Sequence, residues 1–133
     1  MSRTFHPTAK LAAALGCALV AGMSFASLAS AEEEVSFKLD VLPILASRCA
    51  ECHQTGGSGL EASGLNLTSY DGLMKGTKHG PIIVPGEPTV SNLNVLIEGR
   101  ADPSMRMPHD QRPLLKEQQR IIRNWVKQGA KNN

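Results

Sequence analysis

Cys49, Cys52 and His53, in the stretch CAECH, carry side chains that can bond to a metal or to carbon. With two residues between them, the thiols sit about one helical turn apart, so both can face the same way. His53 follows at once and can point an imidazole nitrogen at whatever the thiols hold. C-x-x-C-H is the attachment pattern of a c-type haem. Cys49 and Cys52 would then form thioethers to the haem vinyl groups, and His53 would be the proximal iron ligand. Three other chemistries use the same residue types. Cys49, Cys52, His79 and His109 could make a Cys2His2 zinc site. The two thiols could be a thioredoxin-like redox pair, or a plain disulfide.

The compartment helps to choose. The chain begins MSRTFHPTAK, with Arg3 and Lys10 as a short positive region. Leu11 to Leu28 is apolar and free of charge, and Ala29-Ser30-Ala31 is an A-x-A-like cleavage site in front of three glutamates. Together these describe a secretory signal peptide over residues 1–31. A transmembrane anchor is the competing reading of an apolar run of this length, but the small residues before Glu32 favour cleavage. Cys17 lies inside the apolar run rather than closing it, which argues against a lipid-modified cysteine. Removal of the first 31 of 133 residues leaves a single domain over 32–133. It also removes Arg3 and Lys10, bringing 14 Lys and Arg down to match 12 Asp and Glu, so the exported chain is close to neutral. No strong basic patch of the kind that nucleic acid requires is present.

Without Cys17 only the motif pair of cysteines remains. A disulfide closing so short a loop would stabilise little. A thioredoxin fold would put a strand before the motif, whereas a helix-like run precedes it here. Exported zinc sites of this spacing are uncommon. The haem reading is therefore the one expected. It also suits a domain whose only aromatic residues are Phe37, Tyr70 and Trp125, because a porphyrin would supply apolar surface that a small core lacks.

The elements that must position the motif follow from periodicity. Phe37, Val41, Ile44 and Leu45 recur at helical spacing. With Asp40 as N-cap and Pro43 in the first turn, they predict a helix from about Asp40 into the motif, with a kinked turn around Ser36 to Leu39. QTGGSGLEASGLNL is rich in Gly and Ser and reads as a loop. TSYDGLMKG predicts a short helix capped by Thr68 or Ser69 and ended by Gly76. TKHGPIIVPGEP is a second loop, its course fixed by Pro81, Pro85 and Pro88. TVSNLNVLIEG predicts a helix with Leu93, Leu96 and Ile97 inward and Gly99 as stop. RADPSMRMPHDQRP is a polar loop holding two methionines. LLKEQQRIIRNWVKQGA is the clearest helix, with Ile121, Ile122, Trp125 and Val126 as its buried stripe and Gly129 at its end. The expected fold is all-α with long loops.

An electron-carrying haem iron usually has a second axial ligand. The candidates are Met74, Met105, Met107, His79 and His109. Met74 sits where a helix wants an apolar gap-filler. Met105 and Met107 lie in the polar, proline-bounded loop, where a methionine has little packing reason to be. Pro108 stiffens the backbone directly behind Met107, which makes Met107 the preferred candidate. Met105, a histidine or an open site are the alternatives. His53 also needs an acceptor for its other ring nitrogen, normally a backbone carbonyl; the GLNL segment and the region of Gly80-Pro81 both offer one.

With these residues in place, the chain resembles a planctomycete-type cytochrome c domain, a small class I-like mono-haem c-type cytochrome. The matching stretches are DVLPILASRCAECH, GLNLTSYDGLMKG, GPIIVPGEP, SNLNVLI, RMPH and IIRNWVKQGA, in family order over about Phe37 to Ala130. The resemblance implies a few helices around one covalent haem, with the first and last helices crossing and Phe37 and Trp125 in contact there. It implies Cys49 and Cys52 as attachment residues, His53 as proximal ligand and Met107, in the place of an MPP-like loop, as distal ligand. Two departures stand out. His109 replaces the usual second proline and puts an imidazole beside the ligand loop. Leu115 stands where a Ser, Thr or Asp often caps the last helix, so that helix start is weaker.

The function then expected is a periplasmic electron carrier, not an enzyme. It would cycle between ferrous and ferric iron and serve a dehydrogenase, reductase or oxidase docked at the haem edge, with no stable membrane insertion after cleavage. Lys75, Lys78, Arg106 and Arg112 could ring that edge or be ordinary surface charge. The alternative is a haem sensor or peroxidase-like protein with an open or bis-histidine iron. A di-haem peroxidase would need a second C-x-x-C-H, which is absent. A four-helix gas-binding cytochrome carries its motif near the C-terminus rather than near the start. The leader makes a direct prediction: the intact mass of the exported protein should correspond to a chain beginning at Glu32. A retained leader or a lipid on Cys17 would overturn it.

Overall fold

Ser36 opens the first helical segment. Its Oγ accepts the Leu39 N–H at 3.2 Å, and its own N–H donates to Asp40 Oδ2 at 2.8 Å. The first turn, Phe37–Val41, is a π turn, and it runs directly into α1, Leu42–Arg48. The helical path thus starts before the expected Asp40, which closes the cap from inside instead of being the cap. The reason lies in Pro43, which has no N–H for a carbonyl one α-turn earlier. A wide turn, in which the Leu42 N–H reaches back to the Phe37 carbonyl, brings the proline in at the start of α1.

The computed structural model describes residues 32–133. The expected signal peptide, its cleavage point and Cys17 lie outside the described residues. After α1 come α2 (Ser58–Ser63), α3 (Tyr70–Lys75), α4 (Asn92–Ile97), a 3-10 turn (Pro103–Met105) and α5 (Lys116–Lys127). Among the described residues there is no strand, only an isolated bridge between Thr77 and Gly80, and the all-α expectation holds. No helix among them is long and apolar enough to cross a membrane. Helix α2 falls in a segment expected to be loop. Its glycines and serines give little propensity, and it is a short element with no buried side chain of its own.

Ser69 caps α3 by accepting the Gly72 N–H, and Gly76 ends it. On α4, Leu93 and Ile97 are buried as the spacing predicts, while Leu96 is half-buried. Asn94 is a departure, since this polar side chain is fully buried. Helix α5 has no side-chain cap from Leu115. Gln118 Oε1 accepts the Leu115 N–H instead, at 3.0 Å. Ile122, Trp125 and Val126 form its buried stripe, with Ile121 packed at the edge, and Gln119 is buried by donating to the carbonyls of Ile97 and Leu114.

The first and last elements pack on each other. Phe37, Tyr70 and Trp125 meet there, with ring centroids 5.2 to 6.4 Å apart. The polar ends of the two larger rings are satisfied by backbone: Tyr70 Oη donates to the Ala130 carbonyl at 2.8 Å and Trp125 Nε1 to the Lys131 carbonyl at 2.9 Å. Residues 33–38 are tied alongside through Gln128 and Asn133. On the other side of α5, Arg123 grips both oxygens of Glu98 at 2.6 and 2.9 Å, and Arg100 adds a bond at 2.7 Å. Burial by itself would push the Glu98 carboxyl up, but the hydrogen bonds and charges of Arg123 and Arg100 outweigh it and hold the carboxyl below its ordinary value.

The aromatic cluster is where the core depends most on single side chains. Trp125→Ala removes an indole that is 1% exposed and should destabilise by about 3–5 kcal/mol, measured by denaturant unfolding. A variant as stable as wild type would mean that the first and last helical elements are held together by something other than this cluster.

Candidate functional site

Helix α1 ends at Arg48, so the C-x-x-C-H motif occupies the turns that follow rather than the helix itself. One helical bond survives across it. The His53 N–H donates to the Cys49 carbonyl at 3.0 Å and the Cys52 N–H to the same carbonyl at 3.2 Å. The single-turn separation expected from the spacing is thus kept by the motif's own backbone.

The chain then wraps around the motif and satisfies the carbonyls of Cys52 and His53. Leu60 N–H, on α2, donates to the Cys52 carbonyl at 2.9 Å, and Leu67 N–H donates to the His53 carbonyl at 2.9 Å. Between these, the Leu65 carbonyl lies 3.2 Å from His53 Nδ1. A carbonyl only accepts, so Nδ1 carries the proton and Nε2 is left with its lone pair. The partner expected from the sequence is found in the GLNL segment, and Gly80-Pro81 is not used.

Two glycines make this wrapping possible. A Cβ on Gly57 would fall 2.4 Å from the Cys52 carbonyl oxygen, and one on Gly59 would fall 2.9 Å from both Cε1 and Nε2 of His53. The Gly-rich segment therefore lets backbone run against the motif, closer than any side chain permits.

Cys49, Cys52 and His53 line one cleft of about 740 Å³, within the range of about 300–1,000 Å³ typical of small-molecule and cofactor sites. Its walls are largely apolar, with Leu65, Leu67 and Ile82 on one side and Leu93, Leu96 and Ile97 of α4 on another. Met107 borders the same cleft. Its N–H donates to the Leu96 carbonyl at 3.2 Å, its side chain packs on the core, and Pro108 behind it is buried. Met105 and His109 also border the cleft but are 55% exposed and, for the His109 side chain, 62% exposed. His109 Nε2 lies 3.4 Å from Asp110 Oδ2. Met74 packs against the core away from the cleft, and His79 is exposed and does not line it.

The competing chemistries fit this arrangement poorly. Cys49, Cys52, His79 and His109 do not assemble a zinc site: among the described residues no three His, Cys, Asp or Glu side chains are grouped to hold a metal ion. The two cysteines are free thiols. Burial pushes the Cys49 thiol up to about 11, against the lowering influence of Arg48. A redox dithiol needs the opposite shift, and a strand before the motif where this chain has α1. Two free thiols and an imidazole on the wall of an apolar cleft suit a large flat apolar group held through carbon–sulfur bonds and a metal–nitrogen bond.

Some of the site was not foreseen. None of Lys75, Lys78, Arg106 and Arg112 lines the cleft. The charges at its edge are instead Arg48, Glu51 and Asp110. Arg48 and Glu51 flank or sit within the motif, and adjacency to it was the available signal.

Gly59 gives a test in which two effects oppose each other. Ala is favoured over Gly inside a helix by about 1 kcal/mol, whereas a methyl forced onto a packed ring costs about 1–3 kcal/mol. Gly59→Ala should therefore show no stabilisation and a net loss of up to about 2 kcal/mol in thermal unfolding, with Ser58→Ala close to wild type. A more stable Gly59→Ala variant would mean that the His53 ring is free to swing aside.

Residues 49–111 match the family model described as Planctomycete cytochrome C. The match is narrower than the resemblance over Phe37 to Ala130. It contains the motif, the wrapping segment and Met107, and leaves out α1 and α5. Neither a curated protein nor a solved structure matches the chain.

Proposed function

Because the chain contains a planctomycete-type cytochrome c domain, and such a domain binds covalent haem c, we propose that this protein is a periplasmic mono-haem electron-transfer protein with a class I-like fold and His/Met ligation. The observation that carries the reading is the convergence of Cys49, Cys52, His53 and Met107 on one apolar cleft. When bound, the haem iron supplies a one-electron Fe(II)/Fe(III) couple. The residues supply the rest. Cys49 and Cys52 would hold the group by thioethers, and His53 Nε2 would be the proximal donor. Leu65 fixes the ring so that the donor does not need to be reoriented on each cycle. Met107 Sδ is the distal donor. Its thioether is a weak base that favours the ferrous ion and raises the potential. His53 and Met107 together would leave no open position on the iron for a substrate, which favours a carrier over an enzyme, sensor or peroxidase. The leader-like residues 1–31 support export, and the partner is a second redox protein docking at the cleft edge.

The test is the optical spectrum of the purified ferric protein with its variants. Acid–acetone extraction should leave the haem on the polypeptide, with a single iron per chain. Met107→Ala should abolish the weak long-wavelength band of the Met–iron bond, admit exogenous ligands and lower the potential. Met105→Ala should leave that band intact. A low-spin state lost only in His109→Ala would establish bis-histidine ligation instead, and a high-spin wild type would favour the sensor or peroxidase-like reading.

A further inference from the structure

Arg48 closes α1 directly before Cys49, and its side chain reaches the segment that follows Met107. There its Nη2 donates to the backbone carbonyl of Arg112 at 2.6 Å. Its Nε is buried without a partner, and the side chain lines the cleft together with Cys49, Met107 and Gln111. The guanidinium is therefore enclosed at its root rather than standing free as a solvated surface charge.

The acceptor end is the informative one. Met107 is anchored by its N–H on the Leu96 carbonyl and by the buried Pro108 behind it, and the next buried residue along the chain is Leu114, which accepts from Gln119. The stretch between them, 108–113, makes one hydrogen bond to the rest of the described residues: the bond from Arg48. The ion pair of His109 and Asp110 is internal to the stretch. Apart from the packing of Pro108, the segment behind Met107 is thus tied by one charge-assisted bond from the residue that precedes the attachment motif.

We infer that Arg48 is a positioning residue for the distal ligand: a latch that ties the 108–113 segment across the cleft and so sets how readily Met107 leaves the iron. This rests on the reading of Met107 as that ligand. The latch joins the residue before the attachment motif to the segment behind Met107. Because a guanidinium stays charged throughout the accessible pH range, it holds at all of them. The contact is to a carbonyl, so the identity of the side chain at 112 does not matter, whereas that at 48 does.

The test is a titration of the ferric holoprotein with imidazole, which competes for the distal position and displaces the Met–iron band. A charged hydrogen bond contributes about 1.5–3 kcal/mol, and its partial solvent exposure places the expected effect at the low end. Arg48→Gln should therefore bind imidazole about tenfold more tightly than wild type, with the band still present before titration. Arg48→Lys, which keeps the charge with a shorter reach, should fall between the two. Arg112→Ala should match wild type. Unchanged affinity in Arg48→Gln overturns the latch. If that variant does not accumulate as holoprotein, unchanged affinity in Arg48→Lys overturns it equally. A wild type without the Met–iron band overturns the ligand reading and the latch with it, whereas a wild type with the band and an Arg48→Gln variant of unchanged affinity overturns the latch alone.

Discussion

The hydrogen bond from His53 Nδ1 to the Leu65 carbonyl orders this site. For that carbonyl to reach the ring, the chain after the motif must double back within a dozen residues. Doing so brings Leu60 and Leu67 onto the carbonyls of Cys52 and His53. The tight return excludes side chains at Gly57 and Gly59. It also turns Leu65 and Leu67 into the cleft wall behind the imidazole. The tautomer, the glycines and the apolar lining are consequences of one backbone path.

That path is supported from two sides that do different work. The aromatic cluster of Phe37, Tyr70 and Trp125 joins the first and last elements and buries the largest side chains. The α4–α5 contact, fastened by Glu98 with Arg123 and by Gln119, presents Leu93, Leu96 and Ile97 to the cleft and offers the Leu96 carbonyl to Met107. Leu65, Leu67, Ile82, Leu93 and Ile97 belong to the packed core and line the cleft as well.

The sequence was most legible where local chemistry dictates structure. The Ser69 cap, the Gly76 stop and the stripe of α5 depend on neighbours within a few residues, and each is found as the pattern implies, as is the single backbone turn from Cys49 to His53. The acceptor for His53 was narrowed to two segments because carbonyls are everywhere, and only the fold selects Leu65. The Asp40 cap was misplaced because a π turn adds a residue to the first turn, and no local signal distinguishes it from an α turn. Helix α2 was missed because its Gly and Ser are there for closeness to the motif and not for propensity. The reach of Arg48 to Arg112 spans 64 positions, which periodicity cannot see.

If His53 and Met107 both ligate the haem iron, it would have an imidazole nitrogen and a thioether sulfur among its neighbours. X-ray absorption at the iron edge of the exported holoprotein tests this most directly, because sulfur and nitrogen scatter with different amplitude and distance. A sulfur neighbour is expected in both oxidation states, alongside the pyrrole and imidazole nitrogens, and it should vanish in Met107→Ala. An iron surrounded by nitrogen and oxygen alone in the wild-type protein would contradict the account.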